Sequence, residues 1–266
     1  MEPDIILGAV EFLSGVRLRD RKVEKIPNNF IPRNQSEAYK LQELLGNYLS
    51  KTRFGSRNGY KIGCTSKVMQ KYLNVSEPCR GGIFANTVYG HNVARLFADY
   101  NRPGVECEIA VFLGLDLDAS GAPYDKDNVV EAIESCMAAI EIVDDRYVDY
   151  RNLALPILVA DDFFNAGCVL GNPVKDWNGL DIRNIVGELR VNDNVVGRGQ
   201  GKDVMGHPFN VVAWLANHLI KHGQTLKAGE FVLTGSLVET YWCRAGDRVK
   251  AEIEGLGSAT ITFCEK

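Results

Sequence analysis

The chain has 266 residues, 45% of them hydrophobic, and a formal net charge of −4 from 34 acidic and 30 basic side chains. That length supports one large domain or two small ones, with the composition of a soluble globular protein. The mild acidic excess argues against a nucleic-acid footprint or an anionic-membrane partner, both of which want clustered basic charge.

No apolar run approaches the roughly 20 residues of a membrane span, and the start Met1-Glu2-Pro3-Asp4 lacks the basic opening of a secretory signal, so a cytoplasmic protein is expected. The seven cysteines (Cys64, Cys79, Cys107, Cys136, Cys168, Cys243 and Cys264) are odd in number and never spaced C-x-x-C. They predict reduced thiols, mostly small core residues, rather than a disulfide framework or a zinc site.

Residues 4–18 and 36–50 carry apolar side chains at helical spacing, the second stretch opened by Ser36 as N-cap. Ile26 to Pro32 reads as a loop. The basic cluster from Arg17 to Lys25 contains Asp20 and Glu24 and reads as a solvated face. Gly59 to Ser66 is expected to form a short strand ending in a cap, Lys67 to Leu73 a short helix, and the glycine-rich Cys79 to Phe84 a loop or lid.

The alternation that follows Pro103-Gly104 reads as a strand, so Glu106 and Glu108 share one face while Cys107 points the other way. Asp127 is expected to cap a helix running to about Ala138, which feeds a strand carrying Glu141 among Ile140, Ile142 and Val143. From Val186 a hairpin is expected, turning at Asn192-Asp193-Asn194. A helix from Pro208 to His222 follows, with Val211, Val212, Leu215 and Leu219 as its buried stripe, and strands at 230–234, 247–253 and 258–263 close the chain.

Three glutamates brought close together repel unless one is protonated or a cation sits among them. All-oxygen ligation without a neighbouring His or Cys suits Mg²⁺ or Mn²⁺. The competing reading places Glu106 and Glu108 on a wet strand face and pairs Glu141 with Arg146 or another base. Spacing alone does not decide between them. Lys61, flanked by Tyr60 and Ile62, is open to three readings: a proton carrier, a fixed cation for an anionic substrate, or an edge-strand lysine in water.

His218 and His222 stand four apart on the last turns of a helix, where imidazolium complements the dipole. No H-x-x-H pattern, no G-x-S-x-G elbow and no phosphate-binding glycine loop opening a βαβ unit is present, which disfavours a serine hydrolase or a nucleotide enzyme.

Several ordered segments then resemble one family. They are Gly59-Tyr60-Lys61-Ile62-Gly63-Cys64-Thr65-Ser66, Val105-Glu106-Cys107-Glu108, Ala139-Ile140-Glu141-Ile142-Val143-Asp144, Gly206-His207-Pro208 with Trp214-Leu215-Ala216-Asn217, Leu226-Lys227-Ala228-Gly229-Glu230, Leu233-Thr234-Gly235-Ser236 and Gly255-Leu256-Gly257-Ser258. In order and spacing they resemble the 2-keto-4-pentenoate hydratase and 4-oxalocrotonate decarboxylase family, part of the fumarylacetoacetate hydrolase superfamily.

The resemblance implies an α+β fold: a mixed β-roll over 59–266 behind a small helical N-terminal lead-in over 1–58. It implies a homo-oligomer, with a pathway aldolase or decarboxylase as a further expected partner. Glu106, Glu108 and Glu141 match a Mg²⁺ or Mn²⁺ site, Lys61 matches the active-site lysine, and Cys79, Phe164, Thr234 and Ser236 fall at substrate-binding positions. The implied activity is hydration of a 2-hydroxy-2,4-dienoate, a small-molecule 2-oxo acid from aromatic or steroid ring cleavage. A 2-oxo-3-enoate decarboxylase and a non-catalytic scaffold subunit are the alternatives.

Two places depart from the family pattern. Cys79 follows Glu77-Pro78 where an acidic residue is usual, and Ala160-Asp161-Asp162-Phe163-Phe164 replaces Ala-Asp-Asn-Ala-Ser. The first puts a water-activating carboxylate in question, and the second implies a tighter, more apolar pocket.

Overall fold

Residues 1–18 and 22–265 are described by the structure, a computed structural model. Helix α1 (Pro3–Leu18) and helix α2 (Gln35–Leu49) form the N-terminal layer. The α2 cap is Asn34, not Ser36: its Oδ1 accepts from the Glu37 N–H at 3.0 Å while its backbone stays extended. Leu13, Leu41, Leu45 and Leu49 are fully buried and pack with Phe54, Phe84 and Ala160, which seats this layer on the sheet behind it. Each such leucine contributes about 2 kcal/mol of burial.

Arg17 corrects the expectation of a solvated face. It is buried at the end of α1, with Nη1 3.0 Å from Asp162 Oδ2. The rest of that expectation falls partly on residues 19–21, outside the described residues.

The remaining elements, in chain order, start with β1 (Arg57–Gly63), α3 (Lys67–Tyr72), β2 (Cys79–Phe84), β3 (Val88–Tyr89), β4 (Asn92–Leu96), β5 (Pro103–Leu113) and β6 (Ile133–Asp144). They continue with α4 (Leu155–Ala160), β7 (Asn165–Leu170), β8 (Val186–Val191), β9 (Asn194–Gln200), α5 (Pro208–Lys221), β10 (Phe231–Ser236), β11 (Tyr241–Trp242), β12 (Arg248–Ile253) and β13 (Gly257–Cys264). The larger sheet runs β2-β1-β10-β5-β6-β7-β3 with β11 against the start of β5, and the smaller runs β4-β13-β12-β8-β9.

Period-two alternation sorts the larger sheet into two faces. Tyr60, Ile62, Val105, Cys107, Ile109 and Ile140 point into the main core, where they meet the smaller sheet and the buried stripe of α5. The opposite face carries Ala110, Met137, Ala139, Cys168 and Leu233. The same alternation places Lys61, Glu106, Glu108 and Glu141 on this second face. This is the mixed β-roll with a small helical N-terminal layer that the sequence led us to expect.

Two segments differ from expectation. Cys79 to Phe84 is a buried strand, not a lid; its glycines serve close approach, since a Cβ on Gly81 would lie 2.8 Å from the Asp162 carbonyl oxygen. Asp127 to Ala138 is not a helix: Val129–Ala132 is a single 3₁₀ turn and β6 begins at Ile133. A strand covered on both faces reads as a continuous apolar run, which periodicity alone does not separate from a buried helix. The hairpin turn is confirmed, with Asn192 and Asp193 at φ 48° and 67° joining β8 to β9.

Candidate metal centre

The two longest strands bring the carboxylates together. In the antiparallel register of β5 and β6, Glu106 stands directly opposite Glu141 and Glu108 opposite Ala139. One carboxylate oxygen from each of Glu106, Glu108 and Glu141 lies within 4.8 Å of the other two. Lys61 enters from β1, separated from β6 by β10 and β5, and its Nζ is 2.9 Å from Glu141 Oε1. It is 4% exposed and flanked by β2 and β10, so it is not an edge lysine in water. Arg146 is spoken for by Asp161, with Nη2 2.9 Å from Oδ2, so the base paired with Glu141 is Lys61 and not Arg146.

Each carboxylate has one oxygen tied to the protein. Glu108 Oε2 accepts from the Gly235 N–H at 2.7 Å, Glu141 Oε1 from Asn165 Nδ2 at 2.9 Å, and Glu106 Oε1 from the Thr240 hydroxyl. The other oxygen of the two buried glutamates, Glu108 Oε1 and Glu141 Oε2, has no hydrogen-bond partner among the described residues. An unpartnered buried carboxylate oxygen costs about 1–3 kcal/mol or more.

The charges are out of balance in the same direction. Burial, then Glu141 and Glu106, push the Glu108 carboxyl well above the usual carboxylate range. Burial also pushes Glu141 up, although Lys61 opposes it. For Lys61, burial works against the ammonium, but Glu141, Glu106 and Glu108 outweigh it and raise its pKa. One cation faces three carboxylates. One oxygen from each carboxylate lies within 4.8 Å of the other two, and hard oxygen donors of this kind suit a small divalent ion. The donor set, the orphaned oxygens and the missing positive charge all fit a hard divalent ion.

The other expected site residues fall in different places. Cys79 is fully buried on β2 opposite Gly63, in an apolar cluster with Tyr39, Cys64, Leu158 and Phe163. Phe164 is half-buried against Tyr147 and Tyr150, its centroid 5.9 and 5.8 Å from theirs. The hydroxyls of Thr234 and Ser236 are committed to backbone, to the carbonyls of Ile109 and Val238. Between them it is the Gly235 N–H that touches a carboxylate.

Gly235, Asn165 and Thr240 were missed in the sequence. Gly235 lies inside the Leu-Thr-Gly-Ser segment and has φ 104°, a conformation that favours glycine. No local signal marks the other two. His218 also differs from expectation: burial, then Arg80, His222 and Lys221, bring its pKa down to about 3, so it is a neutral imidazole stacked on Trp214 rather than a dipole-capping cation.

Residues 81–263 match the family model for the fumarylacetoacetate hydrolase C-terminal region. The chain belongs to this family. It is 36% identical over 228 residues to a 2-keto-4-pentenoate hydratase of Burkholderia vietnamiensis, a match covering 86% of each chain. It is 38% identical over 212 residues to a 2-hydroxyhexa-2,4-dienoate hydratase of Comamonas testosteroni, covering 78% of each. The solved 4-oxalocrotonate decarboxylase of Pseudomonas putida G7, complexed with magnesium and adipate, superposes with a TM-score of 0.91 at 25% identity, over 99% of this chain and 98% of that one. The likeness to that structure therefore extends over the N-terminal helical layer as well as the roll.

Proposed function

We propose that this chain is a divalent-metal-dependent hydratase that adds water to a 2-hydroxy-2,4-dienoate, giving a 4-hydroxy-2-oxo acid, in the breakdown of aromatic compounds. The observation that carries the reading is the trio Glu106, Glu108 and Glu141, whose orphaned oxygens and excess charge call for a dication, in a chain whose relatives are named hydratases of such dienoates.

Glu106, Glu108 and Glu141 would hold Mg²⁺ or Mn²⁺; the magnesium named with the Pseudomonas decarboxylase supports a divalent ion of this kind. When bound, such an ion acts as a Lewis acid toward the carboxylate and C2 oxygen of a 2-oxo acid. Lys61 is the proton carrier in this reading. The contact of its Nζ to Glu141 Oε1, at 2.9 Å, fixes its direction beside the three carboxylates. The Phe163 ring lies beside the lysine, its centroid 6.0 Å from Nζ.

The test is absorbance loss of a 2-hydroxy-2,4-dienoate by purified protein with Mg²⁺ or Mn²⁺. Activity should vanish on chelation and in Glu106→Gln, with the fold intact by circular dichroism. The structural likeness to the Pseudomonas decarboxylase favours one second reading, decarboxylation of a 2-oxo-3-enoate on the same site. With a 2-oxo-3-enedioate, which has a second carboxylate to lose, release of CO₂ in step with absorbance loss would select it; hydration of the dienoate with no gas from the enedioate selects the hydratase.

A further inference from the structure

The hydratase reading leaves one unusual piece of backbone without a role. Asp162, Phe163 and Phe164 are three consecutive non-glycine residues in the left-handed region, at φ 52°, 49° and 65°. Such conformations persist only where the surroundings over-determine them, and they gather at functional sites.

The surroundings here are specific. Asp162 receives Arg17 Nη1 at 3.0 Å and the Gly82 N–H at 2.8 Å. The Phe164 and Asn165 carbonyls accept from Arg146 Nη1 at 3.2 and 3.3 Å, and Arg146 is itself fastened to Asp161. Gly81 lets the turn sit directly on the sheet, because any Cβ there would meet the Asp162 backbone. Directly after the left-handed residues, Asn165 returns to negative φ (−49°, with ψ 129°) and opens β7. Its amide Nδ2 reaches Glu141 Oε1 at 2.9 Å, the same oxygen that Lys61 contacts.

We infer that the turn at residues 162–165 is a positioning device for Glu141, with Asn165 as its working end. Two donors converge on Oε1, so the carboxylate is held with Oε2 as the unpartnered oxygen available to an ion. The buried arginines keep the turn in a shape it would not otherwise hold. Because Arg17 comes from α1, the N-terminal layer takes part in aiming a ligand that lies on β6. Asn165 is thus a positioning residue; it touches a ligand and not the reacting atoms. The inference rests on the metal reading given above.

The experiment measures Mn²⁺ affinity by calorimetry, and the melting temperature of the metal-free protein, for wild type, Asn165→Ala and Asn165→Leu; leucine keeps the volume but offers no donor. Partners behind a metal ligand typically govern affinity by about 10–100-fold, so both variants should bind Mn²⁺ at least about tenfold more weakly. A purely structural role would lower the melting temperature and leave the affinity of the folded protein unchanged. Wild-type affinity in either folded variant overturns the inference, as does failure of both variants to fold, which would assign Asn165 to the fold alone. If wild type itself binds no Mn²⁺, the metal reading fails and takes this inference with it.

Discussion

Glu106 and Glu141 are cross-strand partners, directly opposite one another on β5 and β6 and on the same face. Like charges in that relation are destabilising, because facing side chains on neighbouring strands are only about 5 Å apart. With Glu108 two residues along, the sheet concentrates three carboxylates beside one lysine. A fold that keeps this arrangement gives up stability at that point, and on the proposed reading a dication would restore it.

Removing one of these charges should therefore separate stability from function. Glu108→Gln in the metal-free protein is expected to raise the melting temperature by a few degrees, relieving about 1 kcal/mol of repulsion and desolvation. The same variant should lose at least about a hundredfold in Mn²⁺ affinity and all measurable hydration. Differential scanning fluorimetry with and without Mn²⁺ reads both effects. A lower melting temperature without metal would count against the charge imbalance.

Lys61→Met should behave in the opposite sense. It removes the only cation contacting Glu141 among the described residues and leaves a buried carboxylate uncompensated, a loss of about 3 kcal/mol or more. Added Mn²⁺ should recover much of that stability while turnover stays absent. Recovery of turnover would remove Lys61 from the chemistry.

Arg17→Ala should destabilise the protein by about 3 kcal/mol, since Asp162 is buried and its charge partner comes from α1. Chemical denaturation gives the value. A cost within about 0.5 kcal/mol, as at exposed sites, would show that the pair does not hold the N-terminal layer.

His218 supplies a pH dependence of stability. Its folded pKa is about 3 against an unfolded value near 6.5, so the unfolded chain takes up the proton first as pH falls. Stability attributable to this group is complete above about pH 6.5 and is lost progressively on the way down to pH 3. Arg80 from β2, Tyr39 from α2, and Lys221 and His222 on its own helix are the groups around it. Between pH 6.5 and 5.5 the loss should be about 1 kcal/mol, and His218→Phe should flatten it. An unchanged slope in that variant would contradict the assignment.

How much of this was legible beforehand depends on range. Glu106 and Glu108 declare a shared face through their spacing, and Glu141 is conspicuous because it interrupts an apolar run. Those are local signals, and the structure brings the three together. Asn165 carries no such signal: its role exists only through Glu141, 24 residues earlier, and through a turn whose backbone is held by Arg17 and Arg146. Arg17 likewise reads as surface from its charged neighbours, and its partner is 145 residues away. The segment from Asp127 to Ala138 was misread for a different reason, since its apolar residues are covered on both sides and lose the alternation that marks a strand.

The most direct measurement is anomalous scattering from a crystal of this protein grown with Mn²⁺. The account predicts one strong peak per chain, within bonding distance of oxygens from Glu106, Glu108 and Glu141. A peak bound elsewhere, or a structure in which these carboxylates are satisfied by protein donors with no ion between them, would contradict it.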